Sequence, residues 1–201
     1  MNAISEVLSD EISRAAFRRL LQKRSPVDAQ ELGADLGRPT EAIRTALDEL
    51  SQRGRIRLDE QGGVIGAAGL SVRPDRHQIE IGGREFWTWC AYDIVGIFGA
   101  LGATGRARSS SPQSDAPFEV DFSLGRPEPT AVVLFRPNDD YMSCCSSVYD
   151  QWCPQSNFFD TREGAAAWSK GHSLRGGVLA LEEATELASK DWEPLVEGLR
   201  T

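Results

Sequence analysis

The sequence is short of histidine, of long apolar runs and of basic charge in its second half, and each shortage closes off a class of protein. Its 201 residues hold two histidines, His77 and His172, both far in sequence from most of the cysteines and so poorly placed for the usual Cys/His zinc spacings. The longest apolar stretch, Ile94–Ala103, contains three glycines and falls well short of the roughly 20 residues that cross a bilayer. The amino terminus, MNAISEVLSDEISR, has three acidic residues before its first arginine and no apolar centre, unlike a secretory signal. The expected location is the cytoplasm, with no membrane partner. No internal repeat is visible. Residues 73–201 carry 12 basic and 19 acidic side chains, net −7, against 10 and 11 in residues 1–72, net −1. An acidic half repels phosphate backbones, so nucleic acid is not an expected partner.

What is present is the composition of a globular protein, 40% hydrophobic and 26% charged, long enough for one large domain or two modest ones. The spacing predicts three helices, over residues 9–24, Ala29–Leu36 behind the capping Asp28, and Thr40–Gln52. A small β wing follows, with Arg55–Leu58 and Val64-Ile65 joined by a Gln61-Gly62-Gly63 turn. This order predicts a winged-helix-like domain over residues 1–72. DNA binding is disfavoured, because Glu41, Arg44, Asp48 and Glu49 leave the third helix at −2, whereas groove-reading helices present basic and amide side chains.

Residues 73–201 read as a second, α+β domain, a mixed or antiparallel sheet with helices. Strands are expected at Gln78–Ile81, Phe118–Leu124, Thr130–Arg136, Phe158-Phe159 and Val178–Leu181. Helices are expected at Phe86–Ala100, Glu163–Lys170 and from Glu182. The Ser-rich run Arg106–Ala116 reads as a mobile loop, and residues 137–157 as irregular.

The four cysteines are Cys90, Cys144, Cys145 and Cys153. Without an export signal they read as buried core, metal ligands or reactive thiols and not as disulfides. Cys90 falls on the apolar stripe Trp87, Cys90, Ala91, Ile94, Phe98, Leu101, where a cysteine is usually inert. Asp93, three residues on, would share that helix face, about 5–6 Å away at the Cβ atoms. A carboxylate beside so apolar a stripe needs a partner or a task, and burial would raise its pKa toward that of a proton donor near neutrality; the alternative is a solvated face. Cys144, Cys145 and Cys153 together suit a soft metal, with a structural zinc site as the plain competitor.

The segments FWTWCAYDIVGIFGALGATGRARSSS and WCPQSNFFDTREGAAAWSKGH resemble the two cysteine regions of the alkylmercury lyase family. The first carries a WCAxD motif; in the second a cysteine precedes two phenylalanines and a helix with acidic, Ala and Trp residues. The resemblance extends to AAGLSVRPDRHQIEIGGREFW and to the winged-helix-like start. It implies Cys90 as the first mercury-binding thiol, Asp93 as the acid–base carboxylate, Cys153 as the second thiol and Trp89 as a wall of the substrate pocket. The implied reaction is protonolysis of a carbon–mercury bond, giving a hydrocarbon and Hg(II) held by Cys90 and Cys153. Mercury is then substrate and product, and no cofactor is expected. Low-molecular-weight thiols and a mercuric reductase are the expected Hg(II) acceptors. Cys145 in place of Cys153 stays open as the second ligand; otherwise Cys144 and Cys145 read as inert loop thiols, with a relay for product mercury as the alternative. A non-catalytic soft-metal binder and a winged-helix metal-responsive regulator are the alternative functions.

Overall fold

The computed structural model describes residues 3–199, with side chains from Val7 onward; positions 1, 2, 200 and 201 of the two expected domain ranges lie outside the described residues. Helix α1 (Ala3–Lys23) leads to α2 (Ala29–Leu36) and α3 (Thr40–Gln52). A reciprocal cap opens α2: the Glu31 amide donates to the Asp28 carboxylate at 2.8 Å, and Glu31 accepts the Asp28 amide. Gly37, at φ 62°, closes it. The apolar faces meet in one core through Ile12, Phe17, Leu20, Leu32, Ile43, Leu47 and Leu50.

Strands β1 (Ile56–Leu58) and β2 (Val64–Ala67) form the expected hairpin. They continue into β3 (Leu70–Ser71), β4 (His77–Ile81), β5 (Arg84–Thr88), β6 (Gly105–Ser110), β7 (Pro117–Ser123) and β8 (Arg126–Pro127). Together these make an eight-stranded sheet in the order β1-β2-β3-β5-β4-β6-β7-β8. A second sheet, β10-β9-β11, joins β9 (Val133–Pro137), β10 (Asn157–Phe159) and β11 (Gly176–Ala180). Every strand pairing among the described residues is antiparallel, within an α+β architecture.

Helix α4 (Ala91–Leu101) runs through the core, buried almost all round, as its composition, apolar but for Asp93 in the first turn, requires. Phe98 stacks on Phe122 of β7, with ring centroids 4.1 Å apart. Its other side meets α7 (Leu181–Val196) across Gly96 and Gly99; a Cβ on Gly96 would fall 2.2 Å from the Trp192 ring. Two shorter helices complete the chain, α5 (Asp139–Cys144) and α6 (Arg162–Gly171). Among the described residues no helix is long and apolar enough to cross a membrane.

Three local expectations are corrected. Residues 137–157 are not irregular throughout, since α5 forms within them. The Ser-rich run is not a loop up to Ser110: β6 pairs with β4 and β7, Arg106 facing Asp121 and Arg108 facing Glu119. Its outer face carries ion pairs and only Ala107 is buried, so the inward alternation was too thin to read as a strand. Nor does a helix begin at Phe86. The aromatic, β-branched run Phe86-Trp87-Thr88 extends as a strand, and α4 starts only after Cys90, whose φ of −152° and ψ of 171° are extended.

Candidate active site

Cys90 sits at the N-cap of α4 and is wholly buried. Its placement comes from a cap of the kind that opens α2, with sulfur in place of oxygen. The Asp93 amide faces the Cys90 sulfur, and the Asp93 carboxylate accepts the Cys90 amide at 2.8 Å. The three-residue spacing that the sequence suggested for a shared helix face thus works as a cap, holding thiol and carboxylate together at a helix N-terminus.

Cys153 reaches the same point from an irregular segment. A π-helical turn (Val148–Trp152) opens on Ser147, whose hydroxyl accepts the Asp150 amide at 3.2 Å. A 3₁₀ turn, Cys153–Gln155, follows and carries Pro154. The Ala91 amide, first in α4, donates to the Ser156 carbonyl at 3.1 Å and ties this turn to the helix. One ligand atom each from Cys90, Asp93 and Cys153 lies within 4.8 Å of the others, and all three residues are buried.

The floor beneath Asp93 is backbone. Ala68 and Gly69 turn between β2 and β3 at φ 47° and 83°, and the Gly69 carbonyl accepts the Trp89 amide at 3.2 Å. A Cβ on Gly69 would lie 2.3 Å from the Asp93 carboxyl carbon. Trp192 pins the same turn, its indole N–H donating to the Ala68 carbonyl at 2.9 Å. Trp89 is buried, with its ring against Gly66 and edge-on to Tyr149 at 5.5 Å.

Burial governs the electrostatics. It pushes Asp93 up to about 7, against hydrogen bonds from the Cys90 side chain and amide and from the Trp89 amide, and against the charge of Arg76. Burial also holds the Cys90 thiol well above its usual range, with Cys153 and Asp93 adding to the rise. For Cys153 the hydrogen bond with Cys90 lowers the pKa, but burial and the nearby Asp93 outweigh it and the net shift is upward. The resting site therefore holds neutral thiols next to a carboxyl poised to gain or lose a proton near neutrality.

The other candidates lie apart from this group. Cys144 is exposed at the end of α5 and Cys145 half-buried beside it, their sulfurs directed to the Tyr141 and Met142 carbonyls at 3.4 and 3.2 Å. Neither histidine joins the three: His77 Nδ1 lies 2.7 Å from the Ser109 hydroxyl, and His172 stacks on Trp168. Gly69, Arg76 and Tyr149 were not singled out in the sequence. A glycine after two alanines and an arginine in a charged turn carry no pattern that marks them.

Two buried thiols flanking a protonatable carboxyl make a site for a soft, thiophilic metal with a proton source attached. Residues 70–192 match the family model of the alkylmercury lyases. The alkylmercury lyase of Bacillus cereus is 31% identical over 179 residues, covering 85% of this chain and 78% of that one. The enzyme of the same name from Staphylococcus epidermidis is 29% identical over 174 residues, covering 84% and 76%. The solved mercury-bound form of MerB2 superposes with a TM-score of 0.77 at 24% identity, over 92% of this chain and 91% of that one, and so shares the fold. The chain belongs to the alkylmercury lyase family.

Proposed function

We propose that the protein is an organomercurial lyase that cleaves a carbon–mercury bond by protonolysis, with Cys90, Asp93 and Cys153 as its catalytic residues. The carrying observation is the buried cluster of two thiols and a carboxyl whose pKa lies at about 7. In R–Hg–X, the Cys90 sulfur replaces X on mercury while its proton passes to Asp93. The Cys153 sulfur then adds to the same mercury and weakens the Hg–C bond. The electron pair of that bond takes a proton from Asp93 and leaves as R–H. Of the two thiol protons, one departs with X⁻ and one ends on carbon; mercury remains Hg(II), bridged by two thiolates. The balance closes with the substrate and these three side chains, so mercury enters as substrate and no cofactor is called for.

A carboxyl with a pKa near the working pH suits both halves of this exchange, as proton acceptor and then donor. Trp89 walls the pocket, and its amide also helps to hold Asp93. Low-molecular-weight thiols, and beyond them a mercuric reductase, are the proposed acceptors of Hg(II), which suits a reducing cytoplasm. We read residues 1–72 as a winged-helix-like domain and residues 73–201 as the catalytic domain. In this reading the first supplies the Ala68-Gly69 floor and the second the three reacting side chains. Incubation with phenylmercury and excess thiol tests the function: benzene and protein-bound Hg(II) are expected, and capture of phenylmercury without benzene would leave a soft-metal carrier.

A further inference from the structure

The two thiols come from segments far apart in sequence, and the ties between those segments are few. On the C-terminal side of Cys153, the Ala91 amide holds the Ser156 carbonyl. On its N-terminal side, beside the ring contacts of Trp89 with Tyr149 and of Tyr92 with Trp152, a hydrogen-bonded tie is Arg76, in the turn before β4. Its Nη1 donates to the carbonyl of Trp89, the residue before Cys90, at 3.0 Å, and its Nη2 to the carbonyl of Tyr149, four residues before Cys153, at 3.2 Å. One planar guanidinium thus spans both thiol-bearing segments, a geometry that a lysine ammonium cannot copy.

The surroundings brace that fork. The Arg76 guanidinium lies 4.4 Å from the Tyr149 ring centroid, and the guanidinium of Arg57, on β1, lies at 4.4 Å from the same ring. The Tyr149 hydroxyl donates to the Asp75 carboxylate at 3.2 Å, and Asp75, with its side chain buried, is ion-paired with Arg57. Trp89 meets Tyr149 edge-on. These contacts bring the π-helical turn against the β5–α4 junction.

We propose that Arg76 is a positioning residue that sets the separation of Cys90 and Cys153 by clasping the Trp89 and Tyr149 carbonyls, so that two thiolates close on one mercury. This rests on the lyase reading for its catalytic consequence, but its effect on bound Hg(II) does not. Arg76 acts through backbone carbonyls of neighbouring residues, and its side chain is exposed, so its loss leaves the packed core in place.

The test uses the full chain with Cys144→Ser and Cys145→Ser, which leaves two thiols, and adds Arg76→Gln or Arg76→Lys. Each protein is loaded with one equivalent of HgCl2 and challenged with glutathione. Arg76→Gln and Arg76→Lys should both surrender Hg(II) about 10-fold faster than the parent, as expected for loss of a little over 1 kcal/mol of chelate stability. In a single turnover with phenylmercury, capture should be unchanged while benzene release slows by a similar factor, with thermal denaturation midpoints close to the parent's. Parental rates of Hg(II) transfer in Arg76→Gln would overturn the clasp. Restoration by lysine would also overturn it, assigning the effect to charge and not to the fork. If the parent makes no benzene, the lyase reading fails, and the HgCl2 arm still decides the clasp.

Discussion

The two thiols of this site are held by different kinds of structure. Cys90 belongs to a strand–helix junction: extended backbone, a reciprocal cap with Asp93 and a buried helix whose Phe98 stacks on Phe122 and whose Gly96 meets Trp192. Cys153 hangs on π-helical and 3₁₀ turns, with few ladder bonds of their own and with side-chain contacts around Tyr149. All three residues of the proposed site are shut from solvent, at 0% exposure for Cys90, 5% for Asp93 and 2% for Cys153. A substrate must therefore part something to enter. Regular, capped structure is costlier to open than irregular turns, so in the proposed mechanism Cys90 and Asp93 would be the fixed half of the site and Cys153 the half that yields.

The sharpest way to break that contrast is to remove each thiol in turn. Cys90→Ser and Cys153→Ser should both abolish cleavage, yet only Cys153→Ser should still capture phenylmercury as a stable adduct, seen by mass spectrometry of the intact protein. Equal loss of capture in the two variants would erase the distinction between fixed and yielding halves. Next in size is Asp93→Asn. It keeps the shape of the side chain but not its proton, and cleavage should fall by about 10²–10⁴-fold, with capture nearly intact and R–Hg still on the protein. A native cleavage rate in this variant would remove Asp93 as the donor.

Gly69→Ala probes the floor under the fixed half. A methyl group 2.3 Å from the Asp93 carboxyl carbon, at a φ of 83°, must displace either the turn or the carboxylate. A loss of about 1–3 kcal/mol in stability is expected, together with a larger drop in cleavage than in capture. Native cleavage would show that the floor does not place Asp93.

The pH dependence of stability separates Asp93 from the rest of the protein. Its pKa is raised to about 7 from 3.8, so between those values the folded state holds a proton that the unfolded state has released. Its contribution to stability is therefore full below about pH 4 and lost as pH rises through 7. The denaturation midpoint of Asp93→Asn relative to the parent should rise from pH 5 to pH 8; a flat difference would mean that the carboxyl is not raised. The smallest effects belong to Cys144→Ser and Cys145→Ser. Both thiols lie outside the three-residue group, and cleavage within about twofold of the parent is expected. A large loss in Cys145→Ser would reopen the choice of second ligand.

The same division governs what could be read from the sequence. Helix α2 was legible because Asp28 and Gly37 mark its ends with local chemistry, and α3 because Ile43, Leu47 and Leu50 fall on one face. Strand β7 was legible from its alternation of Val120 and Phe122. The grouping of Cys90, Asp93 and Cys153 was legible through the two cysteine motifs and the three-residue spacing of Asp93 from Cys90. The junction at Cys90 was not, because Phe86–Leu101 is apolar apart from Thr88 and Asp93, and the change from a period of 2 to one of 3.6 is not marked by a turn residue. Nor were the π-helical turn, the Gly69 approach to Asp93 or the Arg76 fork. Each depends on contacts between residues distant in the chain, Gly69 with Asp93 and Arg76 with Tyr149, and local pattern does not encode them.

The thiol cap of α4 has one more consequence. The Cys90 sulfur receives the Asp93 amide, and the Asp93 carboxylate holds the Cys90 amide. Once the sulfur is committed to mercury, or the carboxylate to a proton, each is a poorer acceptor, and the first turn of a core helix loses part of its anchorage. Under the proposed mechanism, substrate loading and proton transfer would be transcribed into how readily two named amides exchange deuterium with solvent. Chemistry at the metal and fraying at the helix end become two readings of a single equilibrium.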